Sequence, residues 1–189
     1  ELHEAIKLYL TRVSNEALDE AEGRRYVEVL TFTTNLEHIG DIIDKNLMDL
    51  AKKKIRKAYN FSAAGLEEIT EFHGQVVENM RLAFSVFMAG DVEMARRLLA
   101  AKVAMRSAEQ RSAERHLARV SAGRPESIET MSLHEDIIRD LRRINNHLTS
   151  VAYPILEVAG ELRESRLRRQ PSAMPGPART PGSTGQAQG

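Results

Sequence analysis

The residues best spaced for chemistry lie in Asn35-Leu36-Glu37-His38-Ile39-Gly40-Asp41-Ile42-Ile43-Asp44. Glu37 and Asp41 are four apart, and Asp44 lies three further on. At about 100° per residue all three share one stripe of an α-helix, flanking a Leu36/Ile39/Ile43 face. Carboxylates one turn apart repel each other unless water, a cation or a basic partner neutralises them. Oxygen donors alone suit a hard cation, divalent or ferric, with little selectivity. Gly40 costs about 1 kcal/mol relative to alanine in a helix interior. Its place beside the stripe points to close approach by another helix or a ligand. The same spacing also fits a solvated acidic edge, with Gly40 serving helix packing.

A weaker set lies towards the other end of the chain. Asp136, Asp140 and His147 follow one another at i, i+4 and i+11, with Arg143 on the same stripe. They could ligate a metal, or Arg143 could pair with Asp140 or Asp136 as a surface ion pair of little energetic worth. His73 falls on the apolar side of a helical pattern with no second histidine near it, which reads as a core or interface residue. A di-iron bundle needs Glu-x-x-His on two helices. The residues three before His38, His73, His116, His134 and His147 are Asn35, Thr70, Ala113, Met131 and Ile144, and none is Glu. There is no phosphate-cradling glycine loop, no Gly-x-Ser-x-Gly and no cysteine nucleophile. A binding or regulatory role is therefore expected rather than catalysis.

The elements that position these residues are helices. The 189 residues include 6 prolines, 4 of them from Pro171 onwards, and sheet proteins need turn residues at shorter intervals. Apolar periodicity and capping residues predict five helices, near 2–13, 19–57, 63–89, 92–121 and 126–160. The second carries Val29, Phe32, Thr33, Leu36, Ile39, Ile43, Leu47 and Leu50 on one face. The third should bury Leu66, Ile69, His73, Val76, Met80, Phe84 and Phe87. The fourth should bury Ala95, Leu99, Val103, Ala113, Leu117 and Val120, with a solvated middle at 106–115. In the fifth, Leu133, Ile137, Leu141, Ile144, Leu148, Val151 and Ile155 make the seam of an antiparallel bundle. Pro154 should kink it by depriving the Ser150 carbonyl of its donor.

The expected organisation is an all-α domain over 1–160 and a disordered Pro/Gly/Ser-rich tail over 161–189. Formal net charge is zero, so nucleic acid is not an expected partner. No apolar run is long enough to cross a membrane. The chain opens at Glu1 inside a helical stripe, which reads as a fragment of a longer polypeptide.

Three stretches carry a family resemblance. The Leu-Glu-His-Ile-Gly-Asp core of 35–41 resembles the signature helix of PhoU-like proteins, which carry Glu-x-x-x-Asp in a similar setting. The stretch from Met80 to Leu99 is similar to that family's helix–Asp–helix junction. The run from Asp140 to His147, leading into Ser150–Leu156, is similar to the closing helix of PhoU-like domains fused to sodium–phosphate cotransporters. The resemblance covers residues 2 to 160. It implies a PhoU-like antiparallel bundle made of pseudo-repeated three-helix units, the second repeat incomplete. It also implies multinuclear metal binding through Glu37 and Asp41. In the second repeat the matching positions fall on Arg142 and Asn146, so no complete second cluster is expected there. The implied function is regulation of phosphate uptake from the cytoplasmic face of the inner membrane, with the transmembrane transporter part of the same polypeptide as partner. A second copy of the chain is a further expected partner. The alternative is a free-standing adaptor that binds a transporter ATPase or a sensor kinase.

Overall fold

In the computed structural model, residues 2–13 and 18–162 are described, and all of their regular structure is helical. The break at 14–17 and the tail from 163 onwards lie outside the described residues. Helix α1 spans Leu2–Val13 and packs chiefly on α2. Helix α2, Glu20–Asp41, opens on a complete capping box. The Glu22 amide donates to Asp19 Oδ1 at 2.8 Å, and the Asp19 amide donates to Glu22 Oε2 at 3.0 Å. A π-helical segment, Ile42–Leu47, follows directly and runs into α3, Met48–Arg56. The three form one unbroken rod where the periodicity predicts a single helix.

Ser62 caps α4, Ala63–Ala89, by accepting the Gly65 amide at 3.2 Å. Gly90 ends α4 at φ +63, the left-handed conformation that glycine adopts without a Cβ penalty. Asp91 caps α5, Val92–Ser121, accepting the Met94 amide at 2.7 Å. Pro125 opens the short α6, Pro125–Glu129, ahead of α7, Met131–Thr149, and α8, Ala152–Val158. The predicted fifth helix is thus three. At the second break Tyr153 N–H reaches the Ser150 carbonyl at 3.3 Å. A tight turn therefore supplies the donor that Pro154 cannot, and the expected orphan carbonyl is satisfied.

Helices α4, α5 and α7 pack on one another, α2 lies against α7, and α8 lies against α5. Ile39, Ile42, Phe72, Val76, Val86, Leu98, Met105, Leu141, Ile144 and Leu148 are among the buried core residues. The buried face of α4 is Gly65, Glu68, Phe72, Val76, Asn79, Ala83 and Val86. Apart from Val76, each lies one residue before its predicted counterpart. Leu66 is 53% exposed, Phe84 41%, and His73 is exposed rather than buried. The core side of α4 holds small residues where helices approach and polar residues with partners, so the larger apolar residues line its flank.

Helix α5 departs in the same way. It buries Ala95, Leu98, Met105, Ser112 and His116, while Val103 and Leu117 stay exposed. Its polar middle is not wholly solvated, because Ser112 lies inside. On the second helix Ile42 is buried and Ile43 is 47% exposed.

Candidate functional site

The signature residues lie where α2 passes into the π segment. The Met48 amide bonds to the Ile43 carbonyl, an i→i+5 link. A π turn holds more residues than an α turn, yet Glu37, Asp41 and Asp44 all stay close enough to act on the Lys45 ammonium. Asp41 is held by Lys45 at 2.8 Å. That hydrogen bond, followed by the Asp41 charge, raises the Lys45 pKa. Glu37 Oε2 lies 3.8 Å from His38 Nε2. Nothing lies within 4 Å of a Cβ built on Gly40, so no helix makes the close approach expected there.

The second set is split by cations. Asp140 is 1% exposed and accepts a hydrogen bond from Arg143 at 2.9 Å, with Arg139 Nε at 3.9 Å. The Arg143 pair is therefore not a surface pair at its carboxylate end. Asp136 pairs with Arg139 at 2.8 Å, and Arg142 with Glu109 at 2.9 Å. Among the described residues no group of three or more His, Asp or Glu is placed to hold a metal ion. Asp41 is thus paired with Lys45 and Asp140 with Arg143, each carboxylate next to a cation from its own stretch of chain.

The structure instead joins the two sets through histidine. His147 Nδ1 lies 2.8 Å from Asn35 Oδ1, linking α7 to α2. The His38 and His147 rings stand edge to face, their centres 5.1 Å apart at 62°. Burial first, then the His38 and Arg143 charges, lowers the His147 pKa.

A second polar centre, absent from the sequence reading, lies at the opposite end of α7. Glu68 from α4 is 7% exposed. It accepts hydrogen bonds from Arg119 Nη1 and Nη2 at 2.8 and 2.9 Å, from Arg115 Nε at 2.9 Å and from Ser112 at 3.1 Å. His134 Nε2 of α7 lies 3.2 Å from Glu68 Oε2, and the His134 ring stacks on His116 at 4.5 Å and 10°. Burial alone would raise the Glu68 pKa; the Arg119 and Ser112 hydrogen bonds and the two arginine charges outweigh it and hold the carboxyl low. Burial, then His116 and Arg119, pushes His134 down to about 4 against the pull of Glu68. Burial and Arg119 likewise lower His116. The sequence did hold a signal: Ser112, His116 and Arg119 sit at i, i+4 and i+7 on α5, one helical face.

Near the α7/α8 break a half-open cleft of about 330 Å³ is lined by Phe32, Phe87, Val151, Pro154 and Ile155, with Arg25 at its side. The Arg25 guanidinium lies 4.3 Å above the Phe87 ring and donates to the Phe87 carbonyl at 3.1 Å.

Residues 69–155 match the family model of the PhoU domain. The chain is 39% identical over 160 residues to the "Putative inorganic phosphate export protein YjbB" of Escherichia coli strain K12, covering 85% of this chain and 30% of that protein. The protein of the same name from Salmonella typhimurium strain LT2 is 39% identical over 156 residues, covering 82% of this chain and 29% of its own. The chain thus spans about 30% of the length of these relatives. No solved structure matches it. The signature segment 35–44 lies outside the residues matched by the family model, whereas Arg119, His134 and the whole of α7 lie within them. By its helical architecture and this match, the all-α bundle is PhoU-like.

Proposed function

We propose that this bundle is a non-catalytic regulatory domain of a membrane protein that moves inorganic phosphate. In this reading it is joined to the transporting part in one polypeptide and faces the cytoplasm at the inner membrane. The observation that carries the reading is the PhoU-domain match within a chain whose relatives are named for phosphate export and are more than three times as long as the aligned segment. No described helix is long and apolar enough to cross a membrane, which is consistent with the transporting part lying elsewhere in the polypeptide. The sequence led to an expectation of control over uptake. The relatives' name favours efflux as the flux that is adjusted. The likeness of 140–156 to domains fused to sodium–phosphate cotransporters supports coupling to sodium.

Regulation requires two arrangements of the bundle and a ligand or partner that prefers one of them. The α2–π–α3 rod against α7 is the element we assign to that change. Deleting the domain from the full-length protein tests the proposal, with phosphate efflux and influx followed in vesicles and insertion of the membrane part checked separately. A changed flux with intact insertion is expected. Equal flux in both directions over a wide phosphate range would remove the regulatory role.

A further inference from the structure

We infer that α3 lies on an anionic lipid surface, with Met48 and Ile55 entering the interface and the cations at 52–57 gripping the headgroups. The inference rests on the proposed placement at the inner membrane and names the part of the domain that meets it.

The sequence supplies the charge. Lys52, Lys53, Lys54, Arg56 and Lys57 put five cations in six positions, and no acid lies between Asp49 and Glu67. Lys52 pairs with Asp49 at 3.0 Å. Lys53 donates to the Ser132 hydroxyl at 3.4 Å, and the Lys54 ammonium lies 5.9 Å from the centre of the Phe61 ring. Among the described residues, Lys53, Lys54, Arg56 and Lys57 have no carboxylate partner. Cations in the last turn of a helix suit its dipole. The dipole does not explain why an apolar stripe beside them faces outwards.

The structure supplies that stripe. No residue of α3 is buried. Leu47, Leu50 and Lys54 border a groove shared with Ile69 of α4 and Leu141 of α7. Met48, Ala51, Lys52 and Ile55 fall at i, i+3, i+4 and i+7, one helical face. All four are exposed, Ile55 to 78%. A single exposed apolar residue is ordinary. An apolar stripe edged by lysines is the pattern of a helix that lies in a membrane interface. Long basic side chains can hold their charge at the headgroups while apolar neighbours sink below them. Nucleic acid would reward the cations alone, and the zero net charge of the chain disfavours it.

The test is sedimentation of the 189-residue chain with vesicles of equal parts phosphatidylglycerol and phosphatidylcholine, against pure phosphatidylcholine. Circular dichroism checks the fold of each variant. The expected result is binding to the mixed vesicles alone, weakened by salt. Lys53→Gln, Arg56→Gln and Lys57→Gln together should weaken it by about 100-fold, at about 5-fold per cation. Ile55→Ser should weaken it by on the order of 10-fold. Arg97→Gln with Arg106→Gln, exposed cations on α5, should leave it unchanged. The chain has no tryptophan, so the fluorescence of Ile55→Trp reads that position alone and should shift to the blue on the mixed vesicles. No binding to the mixed vesicles, unshifted emission, or an equal loss in the α5 variant would overturn the assignment. Binding to a short DNA duplex but not to the mixed vesicles would give the cations to nucleic acid instead. An Ile55→Ser chain that binds vesicles as before but loses self-association would give the face to a second copy. The vesicles carry no transporter, so this outcome is separate from the flux experiment. Vesicle binding with unchanged flux would keep the surface and remove the regulatory role, and changed flux without vesicle binding would do the reverse.

Discussion

His134 sits in the interior with its ordinary pKa of 6.5 pushed down to about 4. In the unfolded chain the imidazole takes up a proton as pH falls through 6.5, whereas in the folded chain it stays neutral until about 4. The unfolded state therefore binds more protons across that window, and stability must fall as pH falls through it. His116 and His147 are lowered as well and act in the same direction. Glu68 has the opposite charge type. Its lowered pKa contributes stability above its ordinary 4.5, which is lost as pH falls further. Acid unfolding should begin with the histidines and be completed by the carboxylate. Replacing His134 with Gln should flatten the dependence of unfolding free energy on pH between about 6.5 and 4 by up to about 1.4 kcal/mol per unit. Denaturant titrations at half-unit pH intervals check this, and an unchanged slope would place the acid sensitivity elsewhere.

At the scale of the element, Gly40 gives a clear expectation. It lies inside α2, exposed, with nothing within 4 Å of the position a Cβ would take. Gly40→Ala should therefore raise stability by about 0.4–1 kcal/mol, because alanine has less conformational freedom to lose. A lower denaturation midpoint would mean that the π segment, which begins two residues further on, depends on the glycine. The sequence located the helix ends well, since Asp19, Ser62, Asp91 and Gly90 state their chemistry locally. It placed the buried face of α4 one residue off, because a scan for large apolar residues passes over Gly65 and Ala83 and treats Glu68 and Asn79 as surface. Those two are buried because partners from other helices meet them. Asn79 donates to Asn145 of α7 at 2.8 Å, and Glu68 receives three side chains of α5. Such partners lie 44 to 66 positions away, beyond any local pattern. The aligned carboxylates were an inference from ideal helical phase. The π segment, which composition does not reveal, interrupts that regular phase just after Asp41.

For the whole molecule, the uneven distribution of contacts bears on how it comes apart. Helix α1 packs chiefly on α2, whereas α7 is covered by α2, α4 and α5. Amide hydrogens of α1 should exchange fastest among the described helices and those of α7 slowest, a ranking that native-state exchange measures directly. Equal protection in both would show that the bundle opens as one unit. The Glu68 centre adds a kinetic consequence. Its members come from α4, α5 and α7, so it cannot close until all three helices have docked. Contacts that form after the folding barrier hold the native state without hastening its formation. Glu68→Gln removes the charge that balances Arg119, and breaking a buried pair in this way costs about 3–5 kcal/mol. Stopped-flow chevrons should place nearly all of that loss in a faster unfolding limb, with the refolding limb little changed. The buried carboxylate would then act as a latch on the lifetime of the native bundle.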